Sequence, residues 1–235
     1  MSDALAPGSR SLVPDVMIFL GGGGLVGGVV YLGVPALTAA GVDPLVSWML
    51  LSVPLVFVPI IASGCLLLRT EKGRQPWRAR LRLHRPTAAD WAWGWLGLAC
   101  IAAGSAAMLQ LCSDLDLDPS PPFSRDLRPI VGSRLWMLGL WTVYWPINIL
   151  GEEFAWRGVL LPRMQNRLGD PAWLLNAALW GAFHIAFGLG NLLVLLPTLI
   201  CVPLIAQRRR NTWLAVLMHA GLSGPGFVAV ALGLA

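Results

Sequence analysis

Long apolar stretches separated by short polar ones dominate the chain. Seven runs follow one another: Val16 to Ala40, Leu45 to Leu68, Trp91 to Leu111, Ser133 to Leu161, Pro171 to Leu189, Leu192 to Ala206 and Thr212 to Leu234. Their apolar residues are continuous rather than alternating, which argues for membrane-crossing helices and against a transmembrane barrel. The sixth run has 15 residues, short of the ~20 that span the hydrocarbon, so a partly re-entrant segment is expected there. Pro54 and Pro59 predict a kink in the second run. The glycines at 21–24, 27 and 28 predict a face for close helix packing. They are not a phosphate loop, because no Lys-Ser/Thr follows.

Composition agrees. The 235 residues are 56% hydrophobic and 12% charged, against about 25% charged in soluble domains. The expected fold class is all-α: a polytopic helical membrane protein of about seven transmembrane helices with an intramembrane polar site. Residues 1–15 lack the charged, apolar and small-residue sequence of a cleavable signal peptide. Cys65, Cys100, Cys112 and Cys201 are dispersed without a CxxC pair, so they read as buried small apolar residues rather than a zinc or disulfide framework.

Charge then orients the runs. Basic residues follow runs two, four and six: Arg69, Lys72, Arg74, Arg78, Arg80, Arg82 and Arg85, then Arg163 and Arg167, then Arg208 to Arg210. The alternate connections carry Asp43, then Asp114, Asp116 and Asp118, then the short Gly188 to Asn191. By the positive-inside rule the chain is a multi-pass protein of the cell (inner or plasma) membrane, N-terminus cytoplasmic and C-terminus outside. The alternating aspartates resemble the start of a calcium loop, but the required Gly and closing Glu are absent, so an external acidic loop is expected. The basic block has no aromatic platform beyond Trp77, which leaves the lipid bilayer as its partner and no nucleic acid. His84 belongs to that solvated face, and Trp91, Trp93 and Trp95 to an interfacial belt. Two regions are expected: residues 1–132 with helices one to three and the basic loop 69–90, and residues 133–235 with helices four to seven.

The fourth run holds the chemistry. Of three glutamates in the protein, Glu152 and Glu153 lie there with Arg157. A charge at the bilayer centre costs at least ~2.5–3.5 kcal/mol and marks a functional site by default. Glu152 precedes Arg163 by roughly 16 Å of helix, His184 follows Pro171 by roughly 20 Å, and His219 follows Arg210 by roughly 13 Å. The three therefore share a depth, in the inner half to middle of the membrane. Glu153 and Arg157 are i,i+4 and predict an ion pair. Glu152, turned by about 100°, is left for chemistry. A carboxylate and neutral imidazoles around a water suit general-base hydrolysis, and the same set could bind a divalent metal such as zinc.

At these residues the chain resembles the CPBP family of intramembrane proteases, named for CAAX-protein and bacteriocin processing and also called the Abi family. The family pattern is Glu-Glu-x-x-x-Arg, then Phe-x-x-x-His, then His-x-x-x-Asn on successive helices. Glu152 to Arg157 matches the first element, with a family-like Gly158 after it. Trp180 to His184 matches the second, with Trp for Phe. His219 to Ser223 matches the third, with Ser for Asn. The resemblance covers residues 133–230 and implies a glutamate-dependent endopeptidase acting on a membrane-tethered protein or peptide, a C-terminal tail or a leader. It implies that Glu152 and His184 activate the water and that His219 with residue 223 steadies the oxyanion. Glu153 and Arg157 would brace the site, and Trp180 would fill its wall. No cofactor is required on this reading, and zinc on Glu152, His184 and His219 is the metal alternative. Cleavage is expected near the cytoplasmic half of the bilayer. Two other readings are a non-catalytic scaffold, immunity or regulatory protein on the same fold, and a serine protease using the Gly-x-Ser-Gly at Ser223.

Overall fold

The computed structural model describes residues 11–70, 75–125 and 127–234. Most of residues 1–15, and Glu71, Lys72 and Arg74 of the basic block, lie outside the described residues. No strand occurs among the described residues. The helices are α1 (Val13–Ala39), α2 (Pro44–Thr70), the short α3 (Trp77–Arg80), α4 (Ala88–Asp114) and α5 (Trp136–Glu153). A π turn, Phe154–Leu160, carries α5 into α6 (Leu161–Leu168). They are followed by α7 (Ala172–Phe183), α8 (Leu189–Arg209) and α9 (Thr212–Ala231). Five of these, α1, α2, α4, α8 and α9, are long and apolar enough to cross a membrane. The protein is an all-helical, multi-pass membrane protein.

Three helix turns widen, each just ahead of a proline. The π turns are Val29–Gly33, Val53–Phe57 and Phe154–Leu160. Each contains the residue four before a proline: Tyr31 before Pro35, Leu55 before Pro59, Gly158 before Pro162. Proline has no N–H for that carbonyl and its ring crowds it, so the preceding turn opens. Pro146, Pro197, Pro203 and Pro225 sit inside helices without such a turn. The kink expected in the second run is therefore a widened turn, and the same device recurs beside Glu153.

Two of the runs differ from expectation. The sixth is a full helix of 21 residues, Leu189–Arg209. The short one is the fifth: α7 has 12 residues and stops at Phe183. His184 caps it with φ −93°, ψ 1°, a 3-10 turn Ile185–Phe187 follows, and Gly188 at φ +96° redirects the chain into α8. That left-handed value favours glycine. Hydropathy is continuous across this break, so the sequence pattern did not reveal it. Tyr31 Oη donates to Ala186 O at 2.9 Å and ties the turn to α1.

Close packing sets α1 against α7. A Cβ on Gly22 would stand 3.1 Å from the Phe183 ring, and one on Gly23 3.1 Å from Phe183 Cα. Gly21, Gly24 and Gly28 meet nothing, so only part of the glycine cluster makes the contact. The cysteines are all free, and Cys112 alone is buried. Cys65 and Cys201 are half-buried and Cys100 is exposed, which corrects the expectation that all four are internal.

The basic end is strapped rather than loose. Arg163 pairs with Asp15 at 2.6 Å and Arg209 with Asp90 at 2.8 Å. Thr87 and Asp90 form a capping box at the start of α4. Thr212 Oγ1 donates to Leu81 O at 2.7 Å, and Arg82 Nη2 to Gln165 Oε1 at 2.6 Å. Burial and the neighbouring Arg210 pull the Arg82 guanidinium down to about 10. His84 is exposed, but its Nε2 donates to Arg210 O at 2.7 Å, so it also ties this loop to the α8–α9 turn.

Candidate active site

The last turn of α5, the cap of α7 and the middle of α9 meet around one cavity of about 200 Å³. Asn148, Glu152, His184 and His219 line it, with Val26, Phe57 and Phe183 as apolar walls. Glu152 is buried, at 2% exposure, and its carboxylate takes three N–H donors. Asn148 Nδ2 reaches Oε1 at 2.9 Å; the indoles of Trp156 and Trp180 reach Oε2 at 3.2 and 2.8 Å. Oε2 therefore has both acceptor positions filled, while Oε1 keeps one.

His184 Nδ1 lies 2.9 Å from Trp180 O. A carbonyl only accepts, so Nδ1 carries the hydrogen and neutral His184 has its lone pair on Nε2. His219 Nδ1 lies 2.8 Å from Glu153 Oε1, which puts a hydrogen on Nδ1 when the carboxylate is ionised. Glu153 is wholly buried and its Oε1 also takes Arg157 Nη1 at 3.0 Å. Glu153 Oε2 and the Nε and Nη2 of Arg157 have no hydrogen-bond partner. The guanidinium instead stacks on the Trp180 ring, 3.6 Å from its centroid. Trp180 thus touches both halves of the site: its edge donates to Glu152 and its face meets Arg157.

Ser223 stands apart. Its hydroxyl donates to His219 O at 2.8 Å and accepts from Trp145 Nε1 at 3.2 Å. Neither bond reaches an imidazole nitrogen, and Ser223 is not among the cavity-lining residues. A nucleophilic serine needs its proton near a base, so the serine reading finds no geometry. Among the described residues no three His, Cys, Asp or Glu side chains stand in a ligating group. N–H groups point at both oxygens of Glu152 and leave one acceptor position, on Oε1.

The cavity runs toward one face only. Its lining includes Pro121 and Phe123 from the α4–α5 connection, Trp48 near the start of α2 and Asn191 at the start of α8. Phe123 stacks on Trp48 at 4.5 Å with an interplanar angle of 1° and meets Phe187 edge-on at 5.7 Å. No lining residue comes from the basic end. Sequence reading missed Asn148, Trp156 and Tyr144. The first two were detectable, since each lies four residues from Glu152 and shares its helix face.

Residues 134–224 match the Rce1-like family model, described as type II CAAX prenyl endopeptidase Rce1-like. The matched segment contains Asn148, Glu152, Glu153, Arg157, Trp180, His184, His219 and Ser223, and agrees with the CPBP resemblance. No curated protein and no solved structure matches the chain. At family level the match supports a membrane protease acting on a membrane-associated peptide.

Proposed function

We propose that the protein is an intramembrane endopeptidase that hydrolyses a peptide bond with water activated by Glu152 and His184. The observation that carries this is the convergence of Glu152, His184 and His219, from three separate helices, on one cavity. The bound water donates one hydrogen to the free acceptor position of Glu152 Oε1 and meets the Nε2 lone pair of His184. Its oxygen attacks the carbonyl carbon while the proton passes to this base pair. His219, backed by the Glu153 carboxylate, is held to face the developing oxyanion. The C–N bond then breaks, the amine leaves with the proton held by the base pair, and a carboxylate remains. Arg157 and Trp180 brace Glu153 and Glu152, and Ser223 holds the α9 backbone without touching the substrate.

The basic connections support an orientation in a cell membrane with the N-terminus cytoplasmic. The cavity lining extends past Phe123 to the α4–α5 connection, and in this orientation the scissile bond approaches from that side. The test uses purified protein in detergent with a synthetic peptide bearing an S-farnesyl cysteine four residues from its C-terminus, beside unmodified tail and leader peptides. Cleavage of one of these, lost in Glu152→Gln, His184→Ala and His219→Ala proteins that still elute as folded monodisperse species, is the expected result. Full activity in Glu152→Gln overturns the mechanism.

A further inference from the structure

The oxyanion needs a neutral donor as well as an imidazole, and position 223 does not supply one. Its hydroxyl hydrogen is committed to His219 O, and it lies outside the cavity lining. We propose that Asn148 on α5 is that donor, one N–H of its amide fixing Glu152 Oε1 and the other meeting the oxyanion. The inference rests on the hydrolytic reading of the site.

Two indoles fill both acceptor positions of Glu152 Oε2. The water that Glu152 deprotonates must therefore sit on Oε1, the oxygen that Asn148 Nδ2 holds at 2.9 Å. A carboxylate only accepts, so the nitrogen rather than the oxygen of the Asn148 amide faces Glu152. That NH2 group has two hydrogens and uses one. The second is left over on a side chain that lines the cavity. The other polar side chains of the cavity are less suited. Tyr144, which accepts from Trp48 Nε1 at 2.8 Å, stands two turns before Glu152 on α5, and Asn191, which donates to Pro119 O at 3.0 Å, stands at the start of α8; neither bonds to the Glu152 carboxylate. Asn148 is also one helical turn before Glu152, so the same rigid element sets both groups.

Removing one preorganised donor to an oxyanion lowers kcat by about 10²–10³-fold. With the farnesylated peptide as probe, Asn148→Ala is expected to lose kcat by that order while KM stays within about threefold of wild type, since the donor acts mainly in the transition state. Asn148→Asp keeps the size of the side chain but donates only when protonated. Its activity is expected to recover as pH falls, against a flat deficit in Asn148→Ala. A second readout does not need turnover. A peptide with the scissile amide replaced by a hydroxyethylene group presents a tetrahedral alcohol, and wild type should bind it about 10²-fold or more tighter than the parent peptide binds to Glu152→Gln. Asn148→Ala should lose that preference. If wild type shows the preference and Asn148→Ala retains it, or if Asn148→Ala keeps kcat within threefold, the Asn148 assignment is wrong and the hydrolytic reading stands. A wild-type protein with neither cleavage nor preference overturns both. Parallel loss in both Asn148 variants at every pH, with a lowered melting temperature, makes Asn148 structural only.

Discussion

The ion pair of Glu153 and Arg157 gives the sharpest quantitative test. Both side chains have zero exposure and share one bond at 3.0 Å. Removing one partner of a buried pair costs about 3–5 kcal/mol, because the other charge is left uncompensated. The two deletions should not be equal. Glu153→Gln leaves Arg157, whose Nε and Nη2 already lack partners, with no carboxylate at all, and belongs at about 5 kcal/mol. Arg157→Met removes those two orphaned groups along with the charge. It leaves Glu153 with His219 at 2.8 Å, and belongs nearer to about 3 kcal/mol. At roughly 2–4 °C per kcal/mol for a chain of this size, the melting temperature falls by about 6–20 °C. Intrinsic tryptophan fluorescence during heating in detergent reads this directly, with Trp156 and Trp180 inside the site. The double variant should cost less than the sum of the two single ones. Additive losses, or an Arg157→Met loss at least as large as that of Glu153→Gln, would refute the reasoning.

Three further outcomes are expected. Gly23→Leu should cost about 1–3 kcal/mol by forcing α1 off α7, while Gly24→Leu, which faces open space, should leave the melting temperature within error. Asn191→Cys, in a protein whose four native cysteines are replaced, should react with a membrane-impermeant charged maleimide applied to intact cells. Labelling seen only in inverted vesicles would reverse either the orientation or the proposed approach. Ser223→Ala should lose only the ~0.5–1.5 kcal/mol of one hydrogen bond and keep peptide cleavage within about threefold; complete loss of cleavage would revive the serine mechanism.

Hydropathy located the ends of α1, α2 and α4 to within a few residues, because a membrane helix needs a long apolar run and little else. It failed at α7 for a physical reason. The polar side chains in Pro171 to Leu189 are Asn176, buried within α7, and His184, and the break is made by backbone conformation at His184 and Gly188. The cluster Gly188-Leu189-Gly190-Asn191 was the available signal, since two closely spaced glycines weaken a helix. The pairing of Glu153 with Arg157 followed from i,i+4 spacing alone. The three donors to Glu152 did not, because Trp180 comes from another helix and its direction depends on the packing of α7. The route into the cavity was equally illegible. It depends on Pro121 and Phe123 folding back as the 3-10 turn Pro122–Ser124 over Trp48, a tertiary contact with no periodic signature.

Burial is compensated unequally across the site, and the inequality bears on what each residue does. Hydrogen bonds to a charged group contribute about 1.5–3 kcal/mol each. Three of them on Glu152 come to about 4.5–9 kcal/mol, which exceeds the ~2.5–3.5 kcal/mol insertion cost of one charge. Glu153 and Arg157 are two charges with one bond between them and one more to His219. Three of their buried polar atoms, Glu153 Oε2 and Arg157 Nε and Nη2, have no hydrogen-bond partner. A pair selected for stability alone would be replaced by apolar side chains of similar volume at little or no cost. The feature that such a replacement removes is the carboxylate behind His219. Combining Glu153→Leu with Arg157→Met should therefore leave a protein as stable as wild type whose cleavage is lost with His219 in place. A double variant that cleaves normally would mean that His219 works without its carboxylate, and the bracing role assigned to Glu153 would fall.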